Sequence, residues 1–271
     1  MTIQLSRRSS SRTRAETTPA IGRFTGRASS YSAGRPNYPP GVIKFLEQHT
    51  NFSRNVVVAD IGSGTGKLSE LFLVNGNEVF AVEPNADMRH EAERMYSKSR
   101  RFHSIDGTAE CTHLGEKSID LVTAGQSFHW FDPREAKREF ARILKPPGTV
   151  LLLWNTRKRE KGTFGHDYES LITRYGRDRK SWNSSRKQVG EIANFFGANR
   201  MAVETLDNSQ KLDFGQLISR VRSSSYMPKE GLELAEVKRR AREIFEKYAN
   251  HGTVVIRYVT ELYLGVICGC E

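Results

Sequence analysis

The sequence predicts an α/β protein built around a doubly wound, mostly parallel sheet. Short runs of Val, Ile and Leu alternate along the chain with amphipathic helical segments, as expected for repeated strand–helix units. Most of these runs are apolar almost throughout, which is typical of strands buried on both faces of a sheet. One of them, residues 56–61, leads into a glycine-rich turn and then a helix. Right-handed connections between such units produce the doubly wound arrangement.

The first 155 residues show the clearest alternation. We expect strands at residues 56–61, 78–83, 101–106, 118–125 and 149–154. We expect helices at residues 41–50, 68–75, 86–98 and 133–144. The last of these helices is followed by Lys-Pro-Pro-Gly, and proline cannot continue a helix. The stretch before the first helix, residues 24–41, is rich in turn-forming residues.

The C-terminal part of the chain is less regular. Helical spacing occurs near residues 163–175, 186–196, 214–222 and 231–249. A strand is expected near residues 200–206, and a long final strand within residues 252–269. The helices between these last two strands are expected to form a small cap over the edge of the sheet.

The net charge of +11 is distributed unevenly along the 271 residues. The first 30 residues are rich in Arg, Ser and Thr and show no apolar periodicity. Such a segment cannot bury enough apolar surface to fold, so we expect a disordered basic tail over residues 1–22. Two other interpretations remain open, namely an organellar transit peptide and an arm that binds nucleic acid.

Cysteine usage indicates a reducing compartment. The three cysteines, Cys111, Cys268 and Cys270, contain no Cys-x-x-Cys pair, so neither a disulfide framework nor a zinc site is expected. No apolar run reaches the roughly 18–20 residues that span a bilayer. The sequence therefore predicts a cytoplasmic protein without bound metal or membrane association, and it makes no prediction of the oligomeric state.

The glycine turn at residues 62–66 is a candidate ligand site, because ligands of doubly wound sheets bind outside the carboxyl ends of the strands. A dinucleotide fingerprint would place its third glycine where Lys67 stands, but here it is Gly66. Asp60, just before the turn, would also repel the phosphates that such a turn binds. The same carboxylate suits a cationic group, such as the ammonium of an amino acid.

A second carboxylate, Glu83, ends the next expected strand, roughly 20 residues after Gly62. A carboxylate at this place can accept hydrogen bonds from both hydroxyls of a ribose. Taken separately, the glycines could be an ordinary turn, Asp60 a helix or turn cap, and Glu83 a solvated strand end. Together they indicate a nucleoside joined to an amino acid, and S-adenosylmethionine (SAM) is that molecule.

Five successive motifs strengthen this interpretation: "VADIGSGTGKLS", "FAVEP", "DGTAE", "SIDLVTAGQSFHWFD" and "ARILKPPGTVLLLWN". In this order and spacing they resemble the class I SAM-dependent methyltransferases, and in particular the subgroup of trans-aconitate methyltransferase-like and small-molecule enzymes. The similarity extends over about residues 24–265. It implies an enzyme with a seven-stranded Rossmann-like sheet whose last strand is antiparallel, and with SAM as cofactor.

The resemblance assigns roles to individual residues. It implies that the methionine end of SAM is held by Asp60, Gly62, Ser63, Gly64 and Gly66. Glu83 would bind the ribose, and Gln126 would border the methyl group. Many relatives have an aspartate for the adenine amino group where this chain has Thr108. The candidates for that contact are therefore Glu110 and the backbone of Ala109.

The expected organisation follows from these assignments. Residues 1–22 are the disordered basic tail, and residues 23–50 are an N-terminal lid segment with a helix. Residues 51–155 are the SAM-binding core, and residues 156–271 complete the sheet and carry the helical cap.

Two residues are candidates for the acceptor side of the reaction. His129, in "SFHWFD", has a suitable intrinsic pKa for a general base, although it could instead belong to an aromatic wall. Arg35, in the expected lid segment, could bind an acidic acceptor through two parallel hydrogen bonds, although it could also be a loop arginine packed by neighbouring prolines. A carboxylate acceptor needs no base, whereas a hydroxyl does.

The predicted function is methyl transfer from SAM to a small-molecule acceptor, with carboxylate or hydroxyl O-methylation favoured. Two alternatives remain. The enzyme could act on RNA or DNA through its basic tail, although the chain has neither an "NPPY"- nor a "DPPY"-type motif. It could also be a protein that binds SAM without transferring its methyl group.

Overall fold

The computed structural model describes residues 26, 28–176, 185–197, 201–224, 226–228 and 230–267. The strands are β1 (Val57–Ile61), β2 (Glu78–Val82), β3 (Phe102–Ile105), β4 (Ile119–Gly125), β5 (Leu144–Arg157), β6 (Met201–Leu212) and β7 (Val254–Val266). The predicted disordered tail, residues 1–22, lies outside the described residues.

The helices alternate with the strands through most of the chain. They are α1 (Ala28–Gly34), α2 (Gly41–His49), α3 (Lys67–Asn75), α4 (Ala86–Tyr96), α5 (Pro133–Ile143), α6 (Phe164–Tyr175), α7 (Ser185–Phe196), α8 (Phe214–Ser223) and α9 (Gly231–Tyr248). A short 3-10 helix, Phe128–Trp130, lies between β4 and α5.

The strands form one seven-stranded sheet in the order β3-β2-β1-β4-β5-β7-β6. β7 is antiparallel to both of its neighbours, and the other pairs are parallel. This confirms the prediction of a doubly wound, mostly parallel sheet with an antiparallel last strand. The connections reverse direction between β1 and β4, so the crevice at their carboxyl ends is the topological switch point, where such sheets bind ligands.

The central strands of the sheet are covered on both faces, and their side chains alternate between its two sides. In β5, Leu151 and Leu153 pack on one face with residues of α2 and α3. Leu152, between them, packs on the other face with residues of α5 and α7. This arrangement explains why the strands are nearly continuous apolar runs in the sequence.

A third apolar cluster supports the predicted helical cap. It joins Tyr168 of α6, Leu217 of α8 and Val237 of α9 to Tyr258 of β7. As predicted, α8 and α9 lie between the last two strands of the chain. α6 packs with them, so the cap draws on residues before β6 as well.

Several element boundaries differ from those predicted. Part of the expected turn-rich stretch forms α1, which packs against α8, a helix distant in the sequence. β6 continues to Leu212 instead of ending near residue 206, because it pairs with β7 along its whole length. The residues of β6 are mostly polar and partly exposed, so their pattern predicted a strand only weakly. β5 begins at Leu144 and continues to Arg157, three residues beyond its predicted end.

Within the described ranges, no helix has both the length and the apolar character needed to cross a membrane. The same ranges contain no group of three or more His, Cys, Asp or Glu residues arranged to hold a metal ion.

Candidate cofactor and acceptor site

The glycine turn lies directly after β1, at the switch point. Gly62, Gly64 and Gly66 have φ values of +66°, +57° and +79°, in the left-handed region that glycine enters without steric cost. The backbone N–H groups of Gly62 and Ser63 both donate to the carbonyl of Val82, at 2.8 and 3.1 Å. These bonds hold the turn against the carboxyl end of β2.

The three glycines meet different surroundings. A Cβ built at Gly62 would lie 2.6 Å from the Cβ of Ser127, and one built at Gly66 would lie 2.5 Å from the ring of Tyr96. At Gly64 the nearest atom would be 4.0 Å away, on the ring of Tyr31. Gly62 and Gly66 therefore permit close packing within the protein, whereas Gly64 presents its backbone to open space.

Asp60 is the buried carboxylate beneath this turn, with an exposed fraction of 1%. Ser69 donates a hydrogen bond of 2.6 Å to its Oδ2 atom, while its buried Oδ1 atom has no partner among the described residues. Burial disfavours the charged form and raises the pKa of Asp60 from 3.8 to about 7, although the hydrogen bond from Ser69 opposes this shift. A buried acceptor without a partner is costly, and a cationic ligand would satisfy it.

Glu83 follows β2 and is joined to the glycine turn. Its Oε2 accepts a hydrogen bond of 3.0 Å from the backbone N–H of Gly64, and its Oε1 accepts one of 2.9 Å from that of Asn85. Burial raises the pKa of Glu83, while these two backbone bonds lower it in part. A carboxylate has about four lone-pair positions, so both oxygens can still accept ligand hydroxyls.

The candidates for the adenine contact lie in the loop after β3. Ala109 is buried, with an exposed fraction of 3%, and packs in the core beneath the loop. Glu110 accepts a hydrogen bond of 2.8 Å through Oε1 from the backbone N–H of Asp132, the N-cap residue of α5. The Glu110 carboxylate is thus partly committed to a protein contact, which the sequence did not indicate.

Gln126 lies next to the glycine turn. Its φ value is +60°, unusual for a residue with a side chain, and its neighbour Ser127 donates a hydrogen bond of 2.8 Å to the carbonyl of Ile61. The Gln126 side chain donates to the carbonyl of Asn155 at 3.1 Å. It therefore extends from the turn towards the carboxyl end of β5.

His129 lies in the 3-10 helix after β4, with its ring centroid 4.7 Å from that of Trp130. Although the residue is exposed, desolvation by the surrounding protein lowers the pKa of His129 to about 4. In the part of the chain that the structure describes, no hydrogen bond joins its ring to a carboxylate. The buried aromatic wall at this place is formed by Phe128 with Trp154 and Phe195, and not by His129.

Arg35 follows α1, the helix that lies over the glycine turn. Its guanidinium stacks on the ring of Tyr31 at 4.8 Å, and its Nη2 donates a long bond of 3.4 Å to the carbonyl of Ser223 in the cap. Tyr38, in the same segment, packs against Gly125 at the end of β4. The segment predicted to be a lid therefore connects the glycine turn to the cap.

The sequence did not single out three polar residues of this region. Ser69 supplies the hydrogen bond to Asp60 from the first turns of α3. Arg157 ends β5, and Arg220 is buried in α8 between the apolar Leu217 and Val221. The sequence does offer one indication of Arg220, which is its position on the apolar face of a helix. Two open grooves beside Lys158 lie elsewhere, since no residue of the glycine turn lines them.

Comparison with known proteins agrees with this geometry. Residues 59–152 match the family model described as "Methyltransferase domain", and this segment includes Asp60, the glycine turn and Glu83. An uncharacterized methyltransferase of Mycobacterium tuberculosis is 37% identical over 139 residues, which cover 51% of this chain and 54% of that protein. An uncharacterized methyltransferase of Schizosaccharomyces pombe is 33% identical over 142 residues, with the same coverage. The chain thus spans about half the length of the curated relatives it matches.

The fold has a close counterpart among solved structures. The structure described as a "Putative Type II Methyltransferase from Anaeromyxobacter dehalogenans" superposes with a TM-score of 0.63 at 19% identity. The superposition covers 87% of this chain and 99% of that one. The chain therefore has the Rossmann-like methyltransferase fold, and its central segment matches the methyltransferase domain. The trans-aconitate methyltransferase-like subgroup stays a prediction.

Proposed function

We propose that the protein is a SAM-dependent methyltransferase that acts on a small-molecule acceptor, with O-methylation of a carboxylate or hydroxyl favoured. The observation that carries the proposal is the buried Asp60 carboxylate, whose Oδ1 atom lacks a partner among the described residues. It lies under a glycine turn whose Gly64 N–H is hydrogen-bonded to Glu83. The match of residues 59–152 to the methyltransferase domain supports the same conclusion.

The residues of the site fit the parts of SAM. Asp60 offers its unpartnered oxygen to the ammonium group, and the open backbone at Gly64 allows the methionine end to approach closely. Glu83 offers its remaining lone pairs to the ribose hydroxyls. Ala109, Glu110 and Gln126 are the candidates for the adenine and the region around the methyl group.

The protein's contribution to catalysis is mainly orientation. Bound SAM supplies an activated methyl group on a sulfonium, so holding the acceptor in line with that methyl accounts for much of the rate acceleration. The low pKa of His129, about 4, makes it a weak base. Arg35, by contrast, has a buried Nε atom that could bind an anion. These features favour a carboxylate acceptor over a hydroxyl.

Release of S-adenosylhomocysteine tests this function. The purified protein would be incubated with labelled SAM and fractions of a metabolite extract, and also with RNA and DNA. We expect label to enter an acidic small molecule in step with S-adenosylhomocysteine release. Tight SAM binding without release in any fraction would favour a non-catalytic binding protein, and label in RNA or DNA would favour the nucleic-acid alternative.

Glu83→Ala should weaken SAM binding by about 1–3 kcal/mol, the usual cost of losing hydrogen bonds to a charged group. Calorimetric titration measures this effect, with Glu135→Ala as the control because Glu135 is a surface residue paired with Arg138. NADH should not bind to the wild-type protein. Unchanged SAM affinity in Glu83→Ala, or tight NADH binding, would contradict the assignment of the ribose site.

Gly64→Ala separates a ligand role from a structural one. The added Cβ meets open space, so the variant should lose only the cost of a left-handed residue, about 1–2 kcal/mol of stability. Gly62→Ala should cost more, because its Cβ also collides with Ser127. Thermal unfolding measures both changes, and SAM titration should show a clear loss of affinity in Gly64→Ala. A Gly64→Ala protein with normal SAM affinity would show that the ligand does not approach this backbone.

A further inference from the structure

Three arginines from distant parts of the chain converge beneath the cap. Arg35 follows α1, Arg157 ends β5 and Arg220 lies in α8. Arg35 donates to the Ser223 carbonyl at the end of α8, and Arg220 donates to the Gly34 carbonyl just before Arg35. Arg220 also stacks on the ring of Tyr258, the residue that pairs with Arg157 across β5 and β7. Burial raises the pKa of the Tyr226 phenol, but the positive charges of the three arginines and a hydrogen bond from Ser224 lower it overall. We call Arg35, Arg157 and Arg220 the arginine cluster.

The arginine cluster contains buried donor atoms that have no acceptor among the described residues. Arg220 has an exposed fraction of only 2%, and its Nη1 donates to the carbonyl of Gly34 at 2.9 Å. Among the residues whose placement is described, the buried Nε atoms of Arg220 and Arg35 have no hydrogen-bond partner. Unpaired donors on buried cations are costly, so these atoms indicate that an acceptor group belongs there.

Positive charge also exceeds negative charge in this region. The Oε2 atom of Glu169 pairs with Arg157 at 2.8 Å. Its Oε1 atom lies 3.1 Å from the more exposed Arg159 and has no hydrogen-bond partner among the described residues. Among the described residues, Arg35 and Arg220 contact backbone carbonyls and the rings of Tyr31 and Tyr258. Because buried charges are normally paired, a ligand anion would complete the balance.

The arginine cluster is next to the proposed cofactor site. Tyr31 provides one link. Its ring lies 4.0 Å from the position of a Cβ built at Gly64, and the guanidinium of Arg35 stacks on the same ring. The end of β5 provides the second link: Asn155, which accepts the hydrogen bond from Gln126, is two residues before Arg157. Arg35 and Tyr226 are partly exposed, so the cluster can be reached from solvent on their side.

We propose that the arginine cluster, together with Tyr226, binds an oxyanion group, either a carboxylate or a phosphate, of the methyl acceptor. The assignment to the acceptor rests on the proposed methyltransferase function, whereas the anion site itself does not. Guanidinium groups bind both kinds of anion through paired hydrogen bonds. The acceptor is therefore expected to carry at least one negatively charged group. This group is either the one that is methylated or a second group of the same molecule.

Binding of simple anions tests this proposal without turnover. Sodium succinate, inorganic phosphate and the neutral succinamide would be titrated calorimetrically into the protein. We expect succinate or phosphate, but not succinamide, to bind, and the stronger of the two identifies the kind of oxyanion. Arg35→Gln and Arg220→Lys should each weaken this binding by about 10–100-fold, as expected for a lost hydrogen bond to a charged group. Arg138→Gln, which removes the same charge from the surface of α5, should leave it unchanged.

The contrary result is that the arginines only hold α1 against α8. In that case Arg220→Lys would lower the melting temperature, and anion binding would be absent or would be the same in wild type, Arg35→Gln and Arg138→Gln. That outcome would overturn the anion site while SAM binding still supported the proposed function. Anion binding that depends on Arg35 in a protein unable to bind SAM would instead support the site and overturn its link to methyl transfer.

Discussion

Asp60→Asn is expected to stabilise the ligand-free protein at pH 8 and to remove most of its affinity for SAM. The native site holds a buried carboxylate with one oxygen unpartnered among the described residues, and this carboxylate is unfavourable when charged. Asparagine removes the charge and keeps an acceptor for the Ser69 hydroxyl. It cannot balance an ammonium group, so SAM binding should fall by at least about tenfold, the value of one lost charge-assisted hydrogen bond.

The sign of the pH dependence follows from the pKa of Asp60. Its native value is about 7 against 3.8 for an ordinary aspartate, so the native state retains a proton that the unfolded chain has released. The resulting stabilisation is complete below about pH 4 and is lost as the pH rises towards 7 and beyond. A shift of this size corresponds to a few kcal/mol, on the order of 1.4 kcal/mol per pKa unit. Asp60→Asn should lack this slope.

Urea unfolding between pH 4 and pH 8, with SAM titration at pH 8, measures both effects. Asp207→Asn is the control, because Asp207 is an exposed residue that pairs with Lys158. An Asp60→Asn protein that is less stable than wild type at pH 8 and binds SAM normally would show that Asp60 has a purely structural role.

Arg35→Lys is expected to lower turnover by about 10–100-fold once an acceptor is known, because a point charge cannot replace the two parallel hydrogen bonds of a guanidinium. His129→Gln should change turnover little, since a carboxylate acceptor needs no base. The pH–rate profile of the wild-type enzyme should also show no ascending limb that His129→Gln removes.

The opposite pattern would identify a hydroxyl acceptor. His129→Gln would then lower turnover by about 10²–10⁴, the usual contribution of a general base. With the pKa of His129 lowered to about 4, the ascending limb would lie near pH 4 and would disappear in the variant. Turnover against pH for wild type and both variants distinguishes the two cases. Normal turnover in both variants would show that the acceptor binds elsewhere.

The parts of the site that follow from local sequence were predictable. Asp60, the glycine turn and Glu83 lie within two consecutive strand–turn–helix units. The residues that form each strand end and the turn after it are neighbours in the sequence, so their roles can be predicted from it. Their proximity follows from the parallel pairing of β1 and β2. The central strands of the sheet were predictable for a related reason, because they are continuous apolar runs. The count of seven strands was implied by the family resemblance, since the polar β6 gives only a weak signal of its own.

The arginine cluster was not predictable in the same way. Arg157 reaches the site only because β5 continues three residues beyond its last apolar side chain, as an antiparallel partner of β7. Arg220 reaches it because α8 packs against α1, a contact between segments almost 200 residues apart. Glu110 shows the same limitation, since its hydrogen bond to the N-terminus of α5 depends on how the loop after β3 folds.

A crystal structure with bound S-adenosylhomocysteine tests the central claim most directly. We predict that the amino group lies against Oδ1 of Asp60, the ribose hydroxyls against the Glu83 carboxylate, and the amino-acid backbone above Gly64. The sulfur should face the side of the crevice that leads to Arg35. A molecule bound in another part of the protein, or one in this crevice with its ribose away from Glu83 and its amino group away from Asp60, would contradict the account.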